Sequence, residues 1–127
     1  VTTSGASPQI TGTGTLTASN GFAFAHTGNT QIDAVLAGSG GLFKNQTNTV
    51  TLTGLNTYTG TTEIQNGTLS FNSLGNVGGG ASALGNPGTA EDGVIRMGLT
   101  TASTTLTYTG SGHSSDRLIG MQGTTGG

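Results

Sequence analysis

Seven side chains could pass a proton near neutral pH: His26, Asp33, Glu63, Glu91, Asp92, His113 and Asp116. Glycoside cleavage on such groups requires two carboxylates flanking one bond, roughly 5–9.5 Å apart. Only Glu91 and Asp92 are neighbours. They adjoin Gly93 in a segment that reads as a turn, so they are expected to be solvated loop charge. Lys44 could form an isopeptide link, but no acid stands at a fixed spacing from it. Asn45-Gln46-Thr47 and Asn66-Gly67-Thr68 match the Asn-x-Thr glycosylation pattern. With 26 Thr in the chain such matches arise by composition, and both read as structural. The Gly-Gly-x-Gly-x-Asp calcium repeat of β-rolls is absent, since no Asp follows Gly78-Gly79-Gly80. Without Cys there is no thiolate and no disulfide framework. The expectation is a chain that is not an enzyme, with no catalytic residue, no metal site and no cofactor.

Threonine supplies the other repeated chemistry. It recurs as Thr13/Thr15/Thr17, Thr49/Thr51/Thr53, Thr57/Thr59/Thr61 and Thr105/Thr107/Thr109. A flat Thr array can match an ice surface, but these rows are unevenly spaced. An outward strand face with cross-strand pairs explains them more simply. Glycan recognition stays open as an alternative, although carbohydrate platforms favour exposed Trp or Tyr and the chain has no Trp.

The elements that hold these residues follow from composition. Gly (25), Thr (26), Ser (11) and Asn (9) fill more than half of the 127 positions. Charged residues are only 6%, against a usual share of roughly 25%. Three basic residues cannot neutralise a row of phosphates, so nucleic-acid binding is excluded as a reading. No apolar run approaches the ~20 residues of a membrane-spanning helix. No signal or transit peptide is recognisable, which suggests a mature fragment or an excised piece. A net charge of −2 is too small for disorder driven by repulsion. Gly, Thr, Asn and Ser are poor helix formers, so the chain is expected to be all-β. With so few core side chains, stability must come from dense backbone pairing, stacked Thr and Asn, or neighbouring copies.

Period-two segments confirm the strand reading. Val50 and Leu52 alternate with Thr49, Thr51 and Thr53; Leu69 and Phe71 with Thr68 and Ser70; Ile95, Met97 and Leu99 with Arg96 and Gly98; Leu106 and Tyr108 with Thr105, Thr107 and Thr109. Further strands are expected at Phe22 to Ala25, Gln31 to Ala37, Leu42 to Lys44, Thr61 to Gln65 and Arg117 to Met121. The tetrads GTLT (14–17), VTLT (50–53), GTLS (67–70) and TTLT (104–107) place Leu at 16, 52, 69 and 106. The gaps are near two, one and two multiples of about 18, a spacing that suits the coil of a β-solenoid. Residues 75–93, with Pro87 and no strand pattern, read as a loop insertion. A β-sandwich, which also has many short strands, is the alternative fold.

Gly54 to Phe71, GLNTYTGTTEIQNGTLSF, resembles the autotransporter-associated β-strand repeat, also called the passenger-associated transport repeat. The matching parts are Val50-Thr51-Leu52, Gly54, Asn56-Thr57-Tyr58-Thr59-Gly60, Thr61, Thr62, Ile64 and Asn66-Gly67-Thr68-Leu69. Gly38 to Lys44 is similar to the Gly-rich lead before this repeat, so the motif is taken as 38–71. The usual Lys-x-Gly-x-Gly continuation is replaced by Asn45 to Thr49. The resemblance implies a right-handed parallel β-helix of about six coils in a secreted or surface-displayed bacterial protein. On this reading Gly60 and Gly67 make tight corners with positive φ. Tyr58 folds over a corner, and Asn56 and Asn66 bond their own backbone or stack as ladders.

Such a unit, spanning 1–127, ends in open strand edges unless capped. Val1, Thr2 and Thr3 at one end, and Thr124, Thr125, Gly126 and Gly127 at the other, are expected to join neighbouring copies head to tail, with lateral packing as a further contact. The function expected is a structural segment of an extracellular filament, stalk or autotransporter passenger. The alternatives are an adhesin or glycan-binding module and, third, an ice-binding protein.

Overall fold

The computed structural model describes Thr2, Thr3 and residues 9–122. Its strands are β1 (Thr2–Thr3), β2 (Gln9–Ile10), β3 (Thr15–Thr17), β4 (Phe22–Phe24), β5 (Thr30–Ile32), β6 (Val35–Ala37), β7 (Leu42–Leu52), β8 (Thr62–Phe71), β9 (Ile95–Met97), β10 (Thr104–Tyr108) and β11 (Ile119–Met121). A single helical turn, α1 (Ala90–Gly93), lies between β8 and β9. The strand pairs are all parallel. Strands close in sequence do not pair as hairpins; each lies on the equivalent strand of the next coil. That sets the sandwich aside and makes the fold a parallel β-solenoid of about six coils.

Three columns of strands build it. One stacks β1-β4-β7-β8-β9-β11, six rungs high. A second runs β2-β5, then the C-terminal halves of β7 and β8, then β10. The third pairs β3 with β6, and Thr57 and Tyr58 continue it by donating their N–H groups to the Leu36 carbonyl. Phe22 pairs with Leu42 and Leu42 with Thr62, so the regular coil is twenty residues long. The Leu spacing pointed to a coil of about 18 because it compared unlike positions. Leu69 lies on Val50 and not on Leu52, and Leu16 belongs to the third column. Leu106 does stack on Leu69, but as the next rung, with the segment between β8 and β9 looped out.

The period-two pattern becomes an inside and an outside. Inward side chains form ladders through successive rungs: Phe22, Leu42, Thr62, Ile95 and Ile119; Phe24, Lys44, Ile64, Met97 and Met121; Val50, Leu69 and Leu106; Ile32, Leu52, Phe71 and Tyr108. The strands expected at 42–44 and 50–52 are one bent strand, β7, whose register shifts at Lys44/Asn45 and Asn45/Thr49. The expected strand from Arg117 contracts to β11, and Arg117 instead turns inward, 8% exposed. Glu91 and Asp92 sit in α1 rather than a turn. Thr89 caps that helix by accepting from the Asp92 N–H at 3.1 Å.

Tyr58 lies inside the coil, fully buried, and not over a corner. Its hydroxyl pairs with Thr62 Oγ1 at 2.7 Å, and burial pushes the phenol up to about 12. Thr62→Val leaves that hydroxyl without a partner in an apolar interior. The expected cost is about 1–3 kcal/mol in urea denaturation, while Thr61→Val, half-buried one position earlier, is expected to be near neutral.

Candidate functional site

The motif residues divide between core and corner. Ile64 and Leu69 are buried in the core, Thr57 is exposed, and Thr68 sits half-buried in a short Thr49–Thr68–Thr105 ladder. Asn56 is 1% exposed and neither turns on its own backbone nor stacks on another Asn. Its Oδ1 accepts from the Leu36 N–H at 2.8 Å, and its Nδ2 donates to the Ala83 carbonyl at 2.7 Å. Gly67 has the expected positive φ, +75°. Gly60 does not. It is needed because a Cβ there would lie 2.6 Å from the Gly40 carbonyl carbon of the coil below. At Gly54 a Cβ would meet the Ala34 oxygen at 2.6 Å.

Lys44 is the least expected interior residue. Its parity with Leu42 turns it inward, and it is completely buried between Phe24 and Ile64. Its ammonium donates to the carbonyls of Gln46 and Asn66, the latter at 3.2 Å. Burial pushes it down to about 8. Gly67 closes this carbonyl cradle: a Cβ there would lie 2.6 Å from the Asn48 oxygen and 2.8 Å from Lys44 Nζ. Lys44 is therefore an internal cation that ties the bend of β7 to β8.

The acid–base residues are dispersed. His26 is buried, with Nε2 hydrogen-bonded to Thr30 Oγ1. Asp33 accepts from Thr53 and Gln31 at a corner, and those bonds hold its carboxyl below the usual range. His113 pairs with Tyr108 on the exposed last rung, and Asp116 accepts from the Val77 N–H at 2.9 Å. Among the described residues no three of these side chains converge to hold a metal ion. The Thr rows do not merge into one array: Thr15 and Thr17 stack on Val35 and Ala37, and Ser70 interrupts Thr51 and Thr107.

Among the described residues, two surfaces expose large apolar side chains in line with the strand columns. The first is a groove of about 470 Å³ on the outside of the six-rung column. There Ala23, Phe43, Glu63 and Arg96 stand on successive rungs, with Phe43 42% exposed. The second is the last rung. Ile119 and Met121 end two inward ladders, and each is 56% exposed; Tyr108 ends another at 41%. Of the expected joining residues, Val1, Thr124, Thr125, Gly126 and Gly127 lie outside the described residues, and Thr2–Thr3 pairs with β4 as β1. Nothing in the sequence singled out Ile119 or Phe43, although strand parity places both.

Residues 42–71 match the family model described as Passenger-associated-transport-repeat. The match opens at the first residue of β7 and closes at the last of β8. Over 88 residues, 67% of the chain, the sequence is 46% identical to the Adhesin BmaC autotransporter of Brucella suis biovar 1 (strain 1330). The chain spans 2% of that protein's length. No solved structure matches the chain. No helix among the described residues is long and apolar enough to cross a membrane.

Proposed function

We propose that this chain, a passenger-associated transport repeat segment of a bacterial surface-displayed autotransporter passenger, is a structural unit that extends a stalk or filament by stacking rung on rung. The observation that carries the proposal is the uncovered last rung. Ile119, Met121 and Tyr108 point along the same ladders as the buried Ile95, Met97 and Phe71, yet no coil among the described residues covers them. Burying such side chains contributes about 1.5–3 kcal/mol each, and the open strand edge offers backbone groups as well. A further coil of the same kind satisfies both. The first rung presents the complementary edge, with half-buried Ile10 and Leu16 on strands that, among the described residues, are paired on one side only. The role is scaffolding rather than catalysis.

Sedimentation velocity tests this. The 127-residue chain is expected to form oligomers that grow with concentration. Ile119→Lys with Met121→Lys is expected to leave it monomeric and still folded, since both side chains are exposed. A monomer at every concentration, or assembly indifferent to the double substitution, defeats the proposal.

A second reading, an adhesive surface, is supported by the relative's being an adhesin and by the groove around Phe43.

A further inference from the structure

We infer that the groove on the outer face of β4, β7, β8 and β9 is a binding subsite for a neutral pyranose. The inference rests on the adhesive reading and adds to it a ligand class and the residues that contact it. Phe43 presents a ring 42% exposed to solvent, on a column whose preceding rung carries only Ala23. Gly21 and Gly41 line the same groove and put no side chain beside the ring. The next two rungs carry Glu63, 8% exposed and accepting from Gln65 Nε2 at Oε1, and Arg96, and Asn20 also lines the groove.

These groups match a polyol. The ring supplies an apolar platform for the C–H face of a sugar. Above it a carboxylate only accepts and a guanidinium only donates, while the Asn20 amide on the preceding coil does both. Rungs are about 4.8 Å apart, so Glu63 stands one rung and Arg96 two rungs, ~10 Å, along the column from Phe43. Charge selects among ligands. Glu63 and Arg96 stand on adjacent rungs and cancel, so the groove attracts neither an anionic nor a cationic ligand. A phosphorylated or uronic sugar would meet Glu63, and a basic peptide would meet Arg96. The site is shallow, and single-ring affinity is expected in the millimolar range.

The test is ligand-observed and ¹⁵N-detected NMR titration of the chain with methyl glucoside, methyl galactoside and methyl mannoside. At least one is expected to bind, with amide shifts clustered at residues 41–43 and 61–63. Phe43→Ala is expected to weaken it about tenfold, and Glu63→Gln or Arg96→Gln several-fold, with the backbone spectrum elsewhere unchanged. No response to any of the three, or shifts confined to another face, overturns the sugar subsite. Adhesion to cultured cells before and after periodate oxidation of their glycans separates the two readings. Adhesion that survives periodate and Phe43→Ala overturns the sugar while the adhesive reading stands. Loss with both treatments supports the sugar subsite.

Discussion

Asn56→Ala is expected to cost about 2–6 kcal/mol, a large share of the ~5–15 kcal/mol that holds a domain of this size. The side chain joins three layers, one hydrogen bond reaching down to Leu36 and one up to Ala83. Leu36 is 1% exposed and Ala83 is fully buried, so water cannot replace either bond. Alanine therefore leaves an N–H and a carbonyl orphaned, at about 1–3 kcal/mol each. Aspartate separates the two halves of the interaction. Asn56→Asp keeps an acceptor for Leu36 but sets a carboxylate against the Ala83 carbonyl, and it is not expected to recover stability. Leu55→Ala is the control, since that neighbour is 59% exposed and is expected to stay within about 0.5 kcal/mol of the parent. Urea midpoints measure all three. An Asn56→Ala protein as stable as the Leu55→Ala control would remove Asn56 from its place as the link between coils.

The fold class was legible because strand parity is local. Leu69, Phe71, Ile95 and Met97 alternate with Thr, Ser and Arg, and each faces the core as that alternation requires. Coil length was less legible. It depends on how many residues the corners consume, and the shifts around Asn45 in β7 leave no trace in residue type. Parity also contained the position of Lys44, but a cation between Leu42 and Val50 reads as outward until the carbonyls of Gln46 and Asn66 are seen around it. Asn56 stood out as a motif residue, and its partners did not, because Ala83 reaches it only through the segment looped out between β8 and β9. Arg117 was hidden for the same reason. Its guanidinium donates to the carbonyls of Gly93 and Leu84 at 2.8 and 2.6 Å, pinning that segment to the last coil. Such contacts join residues 24 and 33 positions apart, beyond any local pattern.

The interior cation and the interior phenol give the fold a stability maximum in alkali, expected near pH 10. Lys44 is held near 8 against an ordinary 10.5. Between those values the unfolded chain carries a proton that the folded chain has released, so stability rises with pH across that window. Below about 8 the amine is charged in both states, and its contribution no longer changes. Tyr58 works in the opposite sense. It is held near 12 against an ordinary 10, so between those values the folded chain keeps a proton that the unfolded chain loses, and stability falls. The two windows meet at about pH 10, which sets the peak. Glu63, on the strand above Lys44, faces the outer groove and hydrogen-bonds Gln65 Nε2 at 2.6 Å, so it does not neutralise the amine. Replacing Lys44 with methionine keeps the stem and removes the charge. Urea midpoints for this variant are expected to lose the rise between pH 8 and 10.5 while keeping the later fall. Tyr58→Phe is expected to keep the rise and flatten the fall. A parent protein with no rise above pH 8, or a Lys44→Met variant that retains one, would mean that the ammonium is not held in the dry carbonyl cradle beneath Gly67.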